Sequence, residues 1–232
     1  MRTPNLVAAL LLHLAPALTA PSRAEQAQPA LEAPIPSRDG RKLAAAFAAM
    51  HVDKLWLPGA IVDWQTGLPT GQPIRDRSKH THCSQFAAAV CQRLGIYLLR
   101  PPDHSAVLLA NAQFDWLHIS GPASGWNLVP DAPTAQSLAN RGTLVLAVCK
   151  NPDPKKSGHI AILRPSEKSA AAIASEGPQI IQAGGTNRLS ASLRTGFANH
   201  PDAFENGEIA FFSHAVDWPS LPSATPPTAP AP

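Results

Sequence analysis

Three residues, met in order along the chain, have the types needed for acyl transfer through a thiol. Cys83 stands in Thr81-His82-Cys83-Ser84-Gln85-Phe86, His159 in Ser157-Gly158-His159-Ile160-Ala161, and Gln182 in Ile180-Ile181-Gln182-Ala183. A thiol placed at a helix start meets unpaired backbone N–H groups and a partial positive charge, and both favour thiolate. Cysteines so placed can fall from a pKa near 8.5 to roughly 3.5–7.5. The same N–H groups can hold the oxyanion of an acyl-transfer intermediate. An imidazole completes the pair, taking the thiol proton and returning one to the leaving amine. A third group orients the ring through its other nitrogen. Gln182 interrupts an apolar strand and so needs a partner. Asn187, just beyond Gly184-Gly185, is the competing choice. The plain alternatives are a buried structural thiol and a solvated turn histidine.

The elements that position these residues are legible in outline. Cys83, Phe86, Ala87, Val90 and Leu94 share one face of a helix. Thr81 is the expected N-cap and Gly95 the expected stop. An earlier helix is expected from Gly40 to Val52, capped by Asp39, with Leu43, Phe47 and Met50 on its buried face. A third should run from about His104 to Leu117, and residues 63–80 read as loop. Leu144–Cys149, Ile160–Leu163, Gln179–Ala183 and Ile209–Phe212 are short apolar runs bounded by turn residues and read as strands. Helices first and strands later is the α+β pattern.

Length and composition bound the rest. The chain has 232 residues, 44% apolar and 15% charged, which fits one domain. Removing residues 1–24 takes Arg2 and Arg23 from 19 basic residues and no acid, leaving 17 bases against 16 acids. One Tyr and seven Phe give no stacking platform, so no nucleic-acid partner is expected. Residues 1–24 read as a signal peptide cleaved after Ala24, with no membrane attachment once it is removed. Residues 25–38 read as a flexible lead-in, 39–218 as the folded domain, and 219–232, with six prolines, as a disordered tail. Export to the periplasm or the extracellular space is the expectation.

Three cysteines are an odd number for an oxidising compartment, which leaves one thiol for chemistry. Cys83 and Cys91 lie about 12 Å apart by helical rise, too far to bridge. Cys91 with Cys149 is the only pair that spares the nucleophile. The sequence leaves open whether they form a disulfide or two buried thiols. His80, His82 and Cys83 raise a zinc reading, but no further ligands stand at a zinc-like spacing, and a metal-bound thiolate is not a free nucleophile. No metal and no cofactor is therefore expected, and His82 is expected to line the cleft. Trp116 and Trp126 are expected in the core rather than on a substrate-facing wall.

Together, Thr-His-Cys83-Ser-Gln-Phe, Leu109-Ala110-Asn111-Ala112-Gln113-Phe114-Asp115-Trp116 and Gly158-His159-Ile160-Ala161-Ile162 resemble the papain-like CHAP amidases and their NlpC-type relatives over roughly residues 75–215. The resemblance implies a papain-like α+β fold, with N-terminal helices packed on an antiparallel sheet. It implies cleavage of amide bonds in the peptide stems of peptidoglycan, with Cys83 as nucleophile, His159 as base and Gln182 as orienting residue. Peptidoglycan, or another peptide, is the implied partner. Two departures stand out. The orienting residue in these families is usually Glu, Asp, Asn or His, and residues 166–178 are extra sequence between base and orienter. No cell-wall-binding repeat is visible. The rival expectations are a thiol peptidase or amidase acting on protein or small amides, and a non-catalytic periplasmic binding domain that retains the fold.

Overall fold

The computed structural model describes residues 35–74 and 80–221. The segment expected to be a signal peptide, most of the expected lead-in and the expected tail from residue 222 onward lie outside the described residues.

Along the chain the elements are α1 (Arg38–Ala48), α2 (Cys83–Arg93), α3 (Leu109–Ile119), β1 (Asn127–Val129), α4 (Ala132–Asn140), β2 (Leu144–Cys149), β3 (His159–Leu163), α5 (Ala170–Glu176), β4 (Gln179–Gln182), β5 (Arg188–Ser192), α6 (Leu193–Gly196), α7 (Pro201–Glu205) and β6 (Ala210–His214). The six strands form one antiparallel sheet in the order β1-β6-β2-β3-β4-β5. The architecture is α+β.

The apolar runs of β2 and β3 are buried along their whole length. Antiparallel strands covered on one face alternate in polarity, so these two must be covered on both. Leu144, Leu146, Val148, Ile160, Ile162 and Phe212 belong to a core completed by Leu43, Phe47, Phe86 and Val90 from α1 and α2. Val145, Ala147, Cys149, Ala161, Leu163 and Phe211 belong to a second core, closed by Ala135 and Ala139 of α4 together with Leu193, Phe197 and Ala203. The helical cover on this second face, α4 to α7, is the part of the architecture that the sequence reading lacks.

The two cores settle the cysteines. Cys91 lies in the first and Cys149 in the second, with the sheet between them. All three cysteines are buried free thiols.

Several boundaries differ from expectation, each for a local reason. Ser37, not Asp39, caps α1, its hydroxyl accepting from the Gly40 N–H at 3.1 Å. Asp39 sits in the first turn, where its charge suits the helix dipole, and it pairs with Lys42 at 2.8 Å. Thr81 is not the cap of α2. His82 holds that position without a side-chain cap bond. The far end follows expectation: Gly95 takes φ 71°, and the Ile96 N–H returns to the Cys91 carbonyl at 2.9 Å. α3 begins at Leu109 rather than His104, because Leu108 adopts φ 54° and blocks helix on its N-terminal side.

Candidate active site

α2 packs against β3, so its first residue reaches the start of that strand. β4 follows β3 in the sheet, and its last residue lies beside the same strand end. Cys83, His159 and Gln182 consequently line one cavity of about 400 Å³, within the range of small-ligand sites. Cys83 is 5% exposed and His159 7%, so this cavity is their outlet to solvent.

His159 Nε2 and Gln182 Oε1 are 2.8 Å apart. An amide oxygen only accepts, so Nε2 carries the hydrogen and donates it. Nδ1 is then left with its lone pair, the form a base requires. The Gln182 amide nitrogen donates to the Thr186 carbonyl at 3.4 Å, which fixes the orientation of the amide. Phe197 meets the imidazole edge to face at 4.8 Å, and His200 stacks on it at 5.9 Å. Burial holds His159 below the ordinary histidine pKa, with the Gln182 bond opposing the effect. His200 is also lowered, first by burial and then by the neighbouring His159.

The thiol departs from expectation. Burial pushes the Cys83 pKa up, and the N–H groups of Ile160, Ser84 and Cys83 only oppose that rise. Helix-start placement is therefore outweighed by desolvation, and the resting pair is a neutral thiol and a neutral imidazole. Among the described residues no hydrogen bond joins the Cys83 sulfur to the His159 ring.

Asn187, the competing orienter, is engaged elsewhere. Its amide nitrogen donates to the carbonyls of Val52 (2.6 Å), Leu55 (2.9 Å) and Trp56 (3.2 Å), and its oxygen accepts from the Gly184 N–H at 3.0 Å. It ties the β4–β5 turn to the segment after α1. His82 does not line the cavity. It is buried, bonded to Gln85 at 2.7 Å through Nδ1, and its pKa is lowered by burial. Trp126 is buried and donates to the Tyr97 carbonyl at 2.9 Å, and Trp116 packs on the Tyr97 ring. Neither faces the cavity. Among the described residues no group of three His, Cys, Asp or Glu side chains is placed to hold a metal ion.

The start of β3 is held by a residue whose role the sequence reading left unassigned. Asn111 of α3 accepts from the N–H groups of Gly158 (2.8 Å) and Asn151 (3.1 Å) and donates to the Lys156 carbonyl (2.9 Å). That clamp fixes the turn leading into His159. A Cβ on Gly158 would overlap the Cys149 carbonyl oxygen, so the turn needs glycine there. The cavity is also lined by Arg188, Thr195, Asn199 and His200, which no apolar periodicity marks. Their one sequence signal is the polar tract that follows Gly184-Gly185 and surrounds Gly196.

Comparison of the sequence with protein-family models and with curated proteins gives no match.

Proposed function

We propose that this chain is an exported cysteine hydrolase of papain-like type, cleaving amide or peptide bonds, with peptidoglycan stem peptides as its substrate class. The observation that carries this reading is the convergence of a helix-start thiol and a Gln-oriented imidazole on one cavity. In the proposed cycle His159 Nδ1 takes the thiol proton as sulfur attacks the carbonyl carbon. The Cys83 N–H helps to hold the resulting oxyanion. Collapse expels the amine, which leaves with the proton from Nδ1. Water then attacks the thioester, giving its proton to Nδ1, and the acid is released as the thiol regains a hydrogen. The cycle begins with the thiol turning onto Nδ1 as substrate enters, a tightening common when catalytic geometry is loose before binding.

Purified sacculi test the reading. The wild-type protein should release stem-peptide fragments. Cys83→Ala should lose that activity with an unchanged circular dichroism spectrum. Full activity in Cys83→Ala overturns the proposal. Digestion of casein but not sacculi would move the substrate to protein.

A second reading, a non-catalytic binding domain, is favoured by one specific observation. The Cys83 pKa is raised and its sulfur makes no bond to the ring. Iodoacetamide labelling across pH separates the two. Labelling of Cys83 at neutral pH in the presence of substrate peptide supports the hydrolase, whereas labelling only above about pH 8.5 is the behaviour of an unactivated thiol.

A further inference from the structure

We infer that Arg188 is the anion-recognition residue of this cavity, and that the substrate is an amide that carries a free carboxylate near its scissile bond. The inference deepens the hydrolase reading, on which its catalytic part rests.

Among the described residues the cavity walls contain no Asp or Glu, and Arg188 is the one described lining residue with a permanent charge. Its side chain forms no hydrogen bond or ion pair with any described residue. Several basic side chains elsewhere do find partners, among them Lys150 with Asp115, Arg194 with Glu205, Lys168 with Glu176, and Arg164 with the Leu189 carbonyl. Arg188 is half-buried, so it loses part of its hydration without a protein partner in return. A guanidinium cannot escape that cost by deprotonating.

Its place in the sheet points the same way. Arg188 of β5 is the direct cross-strand partner of Gln182 in β4. Side chains of residues directly opposite across a ladder rise from the same face of the sheet. The guanidinium therefore rises beside the amide that orients His159. Around it the lining is neutral and hydrogen-bonding, with Thr186, Thr195 and Asn199, while Gly184 and Gly185 keep the wall low. A guanidinium beside neutral donors matches a planar carboxylate, which it can bind through two parallel bonds. The same charge repels a substrate that presents an amine at that position.

Two measurements on the full chain test this. The first uses no chemistry at Cys83. The thermal midpoint of Cys83→Ala is followed with N-acetylalanine, which has a terminal carboxylate, with N-acetyl-γ-glutamylglycinamide, which has only an α-carboxylate, and with N-acetylalaninamide, which has none. At least one carboxylate should raise the midpoint while the amide does not, and Arg188→Met in the same background should remove the rise. The carboxylate that acts identifies the linkage. The second compares alkylation of Cys83 by iodoacetate and by iodoacetamide. Arg188→Met should lower the iodoacetate-to-iodoacetamide rate ratio about tenfold, and Arg188→Lys should keep part of it. The neutral reagent reports on the thiol itself in each variant. Equal midpoints with all three compounds, together with an unchanged rate ratio in Arg188→Met, overturn the anion site. A carboxylate-dependent midpoint in a wild-type protein that leaves both sacculi and casein uncut keeps the anion site and removes the hydrolase.

Discussion

Gln182 does for His159 what a carboxylate does in many imidazole pairs, but without charge. Its oxygen fixes the Nε2–H tautomer at 2.8 Å, yet it cannot stabilise an imidazolium as a full negative charge would. Gln182→Leu should lower kcat on the order of 10²-fold by freeing the ring, measured on sacculus fragments, with KM little changed. Gln182→Glu should restore the orientation and raise the pKa of the ring. The pH profile checks both statements. Burial depresses His159, so its neutral, proton-accepting form persists below pH 6.5, and kcat/KM should fall only on the acid side of that value. In Gln182→Glu the acid limb should move to higher pH; an unmoved limb would show that another group titrates. Cys83, His159 and Gln182 are legible in the sequence because each breaks a pattern: a thiol at a helix start, a histidine after a glycine, an amide in an apolar strand. Arg188 and His200 break none. They lie in short polar stretches past the glycines, and only the register of β5 and the course of the chain after α6 bring them to the cavity.

The elements are held at their ends by side-chain amides rather than by apolar contact alone. Asn111 joins α3 to the β2–β3 turn, and Asn187 joins the β4–β5 turn to residues 52–56. Asn111→Ala would leave the Gly158 and Asn151 N–H groups without their acceptor. It should cost about 1–3 kcal/mol, read as a lower urea midpoint, and should lower activity further by loosening the start of β3. A loss of stability without a loss of activity would separate the clamp from the site. Amides also explain which elements the sequence conceals. β2 and β3 are plain apolar runs and read correctly. α4 carries two start signals, the Asp131 carboxylate accepting from the Thr134 N–H at 2.7 Å and a proline in its first turn. Its buried face, however, is Ala135, Gln136, Ala139 and Asn140. Gln136 donates to the Arg164 carbonyl and Asn140 to the Ser166 carbonyl, both at 2.9 Å. These side chains satisfy loop carbonyls that no pattern of hydrophobic spacing can reveal.

At the scale of the whole molecule, three histidines make stability depend on pH. His82, His159 and His200 all have folded pKa values below the ordinary one, with burial the leading cause in each. The unfolded chain therefore binds protons that the folded chain refuses. Their contribution is complete above about pH 6.5 and is lost as pH falls from there toward the folded values. The thermal midpoint should be lower at pH 5 than at pH 7.5, and His82→Gln, which keeps a polar group at that site, should flatten the dependence. Both faces of the sheet bear load, so Phe197→Ala on the second face should destabilise by about 3–5 kcal/mol and also release the edge-to-face support of His159. The sheet order carries one more consequence. The last strand among the described residues, β6, sits between β1 and β2 rather than at a margin. A nascent chain cut short of residue 210 would leave the edges of β1 and β2 that face this slot unpaired, ready to accept any extended segment, its own or a neighbour's.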